Sequence, residues 1–211
     1  MTGPLDAVTV FHNAFRRDMR GIDSAARDAA RGKPDLSQAI ERFRFFNEML
    51  VWHAHGEELA IFPRVEAVSP LVAEAYERDH RALDAAFGTL NTAVSARDAL
   101  ETARAAAAFK FHLDVHLGKE DAHLYRIMRE RVPAAEHGKA VGIMSGAVPQ
   151  DRFPEVVAWL YPLINPDDRE TMARIWKLLL PAPAFAQAGV LIRKAIGDDW
   201  KELTRRIPEL A

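Results

Sequence analysis

A chain of 211 residues, 49% of them hydrophobic, can bury one substantial core, or one core with a smaller appendage. A formal charge of -2 with mixed signs supplies neither a basic stripe for nucleic acid nor a polybasic anchor for an anionic membrane. The lack of cysteine excludes disulfides, zinc ribbons and thiolate-held iron-sulfur clusters, leaving nitrogen and oxygen donors for any metal.

The opening stretch MTGPLDAVTVFHNAFRRDM has no long apolar run of the signal-peptide kind, and no later run approaches a membrane span, so a cytoplasmic protein is expected. A first helix is predicted from Pro4 to about Ala30, ended by Gly32, Lys33 and Pro34, with the stripe Leu5, Val8, His12, Phe15, Met19, Ile22. A second, capped by Asp35 or Ser37, carries Phe43, Phe46, Leu50, His53, Glu57 and Ala60 until Pro63 disrupts it. A third opens at Ser69 and Pro70 and presents Ala73, Tyr76, His80, Leu83, Phe87, Leu90 and Val94. A fourth, from about Asp98 to Arg131, presents Ala106, Phe109, Leu113, His116, Glu120, His123 and Ile127.

Four histidines thus occupy positions where a helix would carry leucine or phenylalanine. A polar group buried without a partner costs about 1 to 3 kcal/mol, so four imidazoles call for a common partner, and a metal is the economical one. They can also meet. In an up-down bundle, residues at one depth lie symmetrically about the intervening turn, and the midpoints between successive histidines fall between Gly32 and Lys33, beside Ser69 and Pro70, and at Asp98. One layer then contains His12, His53, His80 and His116, with Glu57 and Glu120 one turn beyond theirs on the same face. Four neutral nitrogens and two carboxylates suit two iron or manganese ions bridged by the glutamates, whereas a single zinc would need only three or four ligands.

These residues carry a resemblance. The stretch HAHGEELAIFP with His53 and Glu57, ERDHRAL with His80, HLGKED with His116 and Glu120, and His12 on the first helix resemble the hemerythrin-like, HHE cation-binding domain family over about residues 1 to 132. The resemblance implies an all-α fold, an antiparallel up-down four-helix bundle, holding a non-heme di-iron centre with an oxo or hydroxo bridge. It gives Glu57 and Glu120 bridging roles and His12, His53, His80 and His116 terminal ones. Respiratory hemerythrins add a second histidine on the third helix and close with a histidine and an aspartate five residues apart. Asp84 stands at the former position here, and Asp121 competes with Glu120 at the latter, Glu120 being preferred for its place on the seam. One nitrogen ligand fewer implies an additional open or water-filled position on an iron, with Asp84 as an adjustable ligand or an acceptor for an imidazole N–H.

A rival di-iron class also fits part of the pattern. Glu77 with His80 and Glu120 with His123 have the Glu-x-x-His spacing of ferritin-like carboxylate oxidases, but on adjacent helices and with His12 where that class needs a glutamate. His55 and His137 are expected in solvent, while His112 and His123 remain open between the seam and the surface. Among the nearby aromatics, Tyr76 is the one expected beside the ligands.

Residues 133–211 form a second region, a helical appendage of short pieces near 134–146, 151–163, 167–180, 183–197 and 198–206. Its apolar groups Val156, Trp159, Leu160, Leu163, Ile175, Leu178, Leu179, Val190, Leu191 and Ile196 are expected to pack on one another or on the bundle. Two functional readings follow: a protein binding dioxygen, nitric oxide or peroxide, with catalase-like turnover and no side-chain nucleophile, or an iron- or oxygen-sensing module signalling through residues 133–211. Expected partners are the small ligand and, through residues 133–211, a second copy or another protein, with neither nucleic acid nor membrane.

Overall fold

Apolar residues recurring at three- and four-residue steps dictate helices, and helices are what form. The structure, a computed structural model, describes residues 3–32 and 36–210, and all regular structure in them is helical. Cα packing divides the chain into two units, one of residues 15–132 and one of residues 1–14 with 133–211.

The first unit is built on four long helices: α1 (Asp6–Ala30, counted here from Phe15), α2 (Ser37–Ala60), α4 (Val72–Ser95) and α5 (Ala99–Lys119). A short α3 (Phe62–Val68) links α2 to α4, and α5 continues through a π-helical turn (Glu120–Leu124) into α6 (Tyr125–Arg131). Neighbours run antiparallel. Tyr76 meets Lys119, His80 meets His116 and Phe87 meets Phe109 along α4 and α5, while Phe43 meets Phe87 and His80 meets Glu58 along α2 and α4. Phe15 stacks edge-on to Phe46, and Arg42 pairs with buried Asp18, which fixes α1 against α2. The result is an all-α, antiparallel four-helix bundle.

Its core follows the stripes. Phe15, Met19, Ile22, Phe43, Phe46, Leu90, Phe109 and Leu113 are buried, and the rings of Phe15, Phe43, Phe46, Phe87 and Phe109 interlock at centroid distances of 4.9–6.2 Å. Turn chemistry sets the ends of the helices. Asp98 caps α5 by accepting the Glu101 N–H at 3.0 Å. Pro63 starts α3 within its first turn instead of merely ending α2, because proline lacks only a donor that the first turn leaves unused. Ser37 is the first residue of α2, not its cap; the expected break at Lys33 and Pro34 and the alternative cap Asp35 lie outside the described residues.

The second unit contains α7 (Ala134–Gly146), α8 (Phe153–Leu163), α9 (Pro166–Leu179), α10 (Ala182–Ile196) and α11 (Trp200–Arg206). These match the expected helical pieces closely. Asn165 caps α9 through the N–H groups of Asp167 and Asp168, and Asn13 donates to Asp168 at 3.0 Å. Val156, Leu160, Tyr161, Met172, Ile175 and Ile192 form the core, and Phe11 stacks on Trp159. Leu178, Leu179 and Val190, expected to pack inward, are instead 69%, 38% and 70% exposed: the two leucines form the end of α9, and Val190 lies about 200° round α10 from buried Ile192.

Candidate metal centre

The chemistry sits in one layer of the bundle. On α2 the apolar period places His53 and Glu57 one turn apart, and the same period on α5 places His116 and, at its end, Glu120; α4 contributes His80. Glu57 and Glu120 are fully buried, and His80 and His116 are each 5% exposed. Ligand atoms of Glu57, His80, His116 and Glu120 all lie within 4.8 Å of one another, and those of His53, Glu57 and Glu120 satisfy the same limit.

Glu57 divides its two oxygens between two histidines. Its Oε1 is 3.4 Å from His53 Nε2 and its Oε2 is 3.6 Å from His80 Nε2. Glu120 Oε1 is 3.2 Å from His116 Nε2 and 3.8 Å from His80 Nε2. His80 Nε2 is buried, makes no hydrogen bond and faces both carboxylates. Burial alone would push the His80 imidazole down, but the Glu120, Glu57 and Glu58 carboxylates outweigh it and push its pKa up to about 11.

Two carboxylates withdrawn from water in one layer repel, and positive charge between them, or a proton on one of them, relieves the repulsion. A protonated His80 supplies part of that charge. A cation between Glu57 and Glu120 supplies it more completely and gives the unbonded His80 nitrogen a partner. Imidazole and carboxylate donors fit iron, manganese or zinc, so the cluster can hold a metal.

Surrounding groups hold the layer in place. Glu58 Oε1 lies 2.9 Å from His80 Nδ1, and Phe62, the residue before Pro63, lays its ring 5.1 Å from the His80 ring. Phe15 meets His53 edge-on at 5.2 Å. The hydroxyl of Tyr125 donates to Glu57 Oε1 at 2.5 Å. Burial first, and then the Glu57 and Glu120 charges, push the Tyr125 hydroxyl well above its usual range, so it stays a donor.

The π turn explains how Tyr125 arrives there. In an α-helix, residues five apart point about 140° away from each other. Here the Tyr125 N–H donates to the Glu120 carbonyl, a five-residue closure that brings both side chains to the buried face. The expectation of one uninterrupted α-helix to Arg131 is corrected accordingly.

That shift also decides the open positions. His123, which an uninterrupted helix would keep on the seam, is exposed and bonded to Tyr76 at 3.3 Å. Tyr76 does not reach a carboxylate: its hydroxyl donates to the Lys119 carbonyl at 3.0 Å, and burial, then the Glu120 charge, raise its pKa to about 12. The Tyr76 ring does lie beside a ligand candidate as expected, edge-on to His116 at 6.5 Å, while Tyr125 is the tyrosine whose hydroxyl reaches a carboxylate. Asp121 pairs with Arg16 at 2.7 Å, leaving Glu120 as the inward carboxylate. Asp84 is exposed, and Leu83 is the buried residue one turn after His80, so the expectation of Asp84 at the site is overturned. Glu77 and His123 are both exposed, which removes the ferritin-like pairing. His55 and His112 are exposed, and His137 is half-buried. His12 is fully buried on α1, one turn before Phe15, within the residues grouped with the second unit.

Fold and site together define an all-α bundle with a buried histidine and carboxylate cluster able to bind metal. No protein-family model and no solved structure matches the chain. Two Arabidopsis thaliana proteins do. The zinc finger protein BRUTUS is 24% identical over 191 residues, covering 87% of this chain and 15% of its own length. The zinc finger protein BRUTUS-like At1g18910 is 22% identical over 196 residues, covering 82% and 15%. The chain therefore spans about a seventh of these relatives. A match over 87% of the chain runs past residue 132, so it includes part of the second unit as well as the bundle. With no cysteine in this chain, the likeness does not rest on a thiolate zinc finger. Among the described residues no helix is long and apolar enough to cross a membrane.

Proposed function

We propose that the chain is a hemerythrin-like module holding two iron ions, and that it binds dioxygen, nitric oxide or peroxide. The observation that carries this reading is the division of Glu57 between His53 and His80, with Glu120 in the same buried layer. In it, Glu57 and Glu120 would be the shared carboxylates, and His53, His80 and His116 would be the imidazole donors of the bundle. Two irons there supply a redox couple and open positions for a small ligand. The protein's part is to exclude water with the Phe15, Phe46 and Phe62 rings, to orient His80 through Glu58, and to hold Glu57 through Tyr125. No side-chain nucleophile is required.

Metal analysis of protein from iron-supplemented growth tests the reading, with about two irons per chain expected. A visible charge-transfer band that changes on reduction and again on adding oxygen or peroxide supports small-ligand binding. One zinc per chain without such a band would overturn it.

A sensing role is the second reading, favoured because the matched relatives are several times longer than this chain, so the likeness is to one segment of a larger protein. Metal-dependent protection of residues 133–211 from hydrogen exchange supports sensing. Fast peroxide consumption by the iron-loaded protein favours the enzyme.

A further inference from the structure

Tyr125 is tied to both glutamates of the layer, to the backbone of one and to the carboxylate of the other. Its backbone N–H is held by the Glu120 carbonyl through the π closure, and its hydroxyl donates to Glu57 Oε1. The ring is fully buried, so neither end can drift. A carboxylate on a two-carbon stem rotates readily, and nothing in its covalent structure decides which oxygen faces which histidine. The Tyr125 hydroxyl lies on the His53 side, at the same oxygen that faces His53 Nε2, and so leaves Oε2 to His80. Glu57 is thereby held spanning the two imidazoles before any metal arrives.

We infer that Tyr125 is a positioning residue for metal binding: by fixing the rotation of Glu57 it preorganises the carboxylate shared by the two metal positions. This rests on the di-metal reading above. The bland alternative is that Glu57 merely satisfies a buried phenol, and the two differ in what the metal reports. Removing a hydrogen-bond partner of a metal-binding side chain typically weakens metal binding about 10- to 100-fold.

The test is an anaerobic titration with cobalt(II), followed by its d–d absorption, on wild type, Tyr125→Phe and Tyr76→Phe. Tyr76 is the control because its hydroxyl bonds Lys119 and His123 and no carboxylate of the layer. Wild type and Tyr76→Phe should each take two equivalents with the same spectrum. Tyr125→Phe should weaken at least one equivalent about 10- to 100-fold and change the d–d envelope, with unaltered helicity of the metal-free protein. Identical titrations and spectra for Tyr125→Phe and wild type, even with a lowered melting temperature, overturn the inference while leaving the di-metal reading intact. A wild type that takes up no cobalt overturns both. Should Tyr125→Phe not fold, the tyrosine ultraviolet difference band on cobalt loading reads the same contact: persistence in Tyr76→Phe supports the inference, and no tyrosine band in wild type overturns it.

Discussion

His80 Nδ1 lies 2.9 Å from a carboxylate oxygen of Glu58, while its Nε2 faces Glu57 and Glu120. The two ring nitrogens therefore have different tasks. An N–H at Nδ1 donates to Glu58, and this fixes Nε2 as the nitrogen offered to a metal. Glu58 stands half exposed at the rim, next in sequence to Glu57, so one turn of α2 supplies both a carboxylate for the layer and an orienting group. Glu58→Ala is expected to weaken metal binding about 10- to 100-fold, and Glu58→Gln, which keeps an acceptor oxygen, by less. Competition with a chromophoric chelator measures both.

Loss of a carboxylate from the layer has a larger consequence than loss of its support. Glu57→Ala and Glu120→Ala each remove a donor placed between histidines, and iron retention after desalting should fall to well below one atom per chain. His55→Ala should retain iron like wild type, because His55 lies on the exposed side of α2. Iron loss in His55→Ala with retention in His53→Ala would mean that α2 is wrongly phased.

Much of this layer is legible in the sequence because a helical stripe is a strong constraint. Every residue of the first stripe from Leu5 to Ile22, and of the fourth from Ala106 to Glu120, is buried as its period predicts. Positions off the simple period are not legible. Leu83 and Asp84 stand three and four residues after His80, and both separations suit one helix face, so spacing cannot choose between them; the structure buries Leu83. The π turn leaves no mark either, since an extra residue in one turn changes neither composition nor hydrophobicity. It nonetheless exchanges His123 for Tyr125 at the buried face. Glu58 was visible as the second of two adjacent glutamates, but nothing in the chain shows that it reaches α4.

Asp84 tests that correction directly. If a histidine there could reach a metal, Asp84→His would slow peroxide consumption or change the visible spectrum at matched iron content. The side chain faces solvent, so the expected outcome for Asp84→His and for Asp84→Ala is the spectrum, iron content and rate of wild type. A shifted charge-transfer band in Asp84→His would restore the original expectation.

Leu71, just before α4, has φ +70°, in the left-handed region that leucine rarely adopts, and its side chain is 70% exposed. The strain is about 1 to 2 kcal/mol, while glycine takes this conformation freely but loses more chain entropy on folding. The Leu71 N–H bond to Glu66 survives substitution because it belongs to the backbone. Leu71→Gly should therefore stabilise the metal-free protein by a net of about 0.5 to 1 kcal/mol, seen as a higher denaturant midpoint at unchanged m-value.

The π turn predicts an asymmetry between removing and adding one residue. Deleting exposed Ala122 shortens the Glu120 to Tyr125 separation from five residues to four, and an ordinary α-helix keeps that pair on one face. Leu124 and Met128 then also stay inward, because the deletion restores the three- and four-residue steps of α5. An alanine inserted after Ala122 instead turns Leu124, Tyr125 and Met128, all fully buried, by about 100° out of phase. The deletion variant should fold with wild-type helicity and retain metal, with Tyr125 still donating to Glu57. The insertion variant should lose metal and cooperative unfolding. Circular dichroism melts and metal content compare the two. A deletion variant as damaged as the insertion would show that the wide turn itself, and not the face it brings Tyr125 to, is what the layer requires.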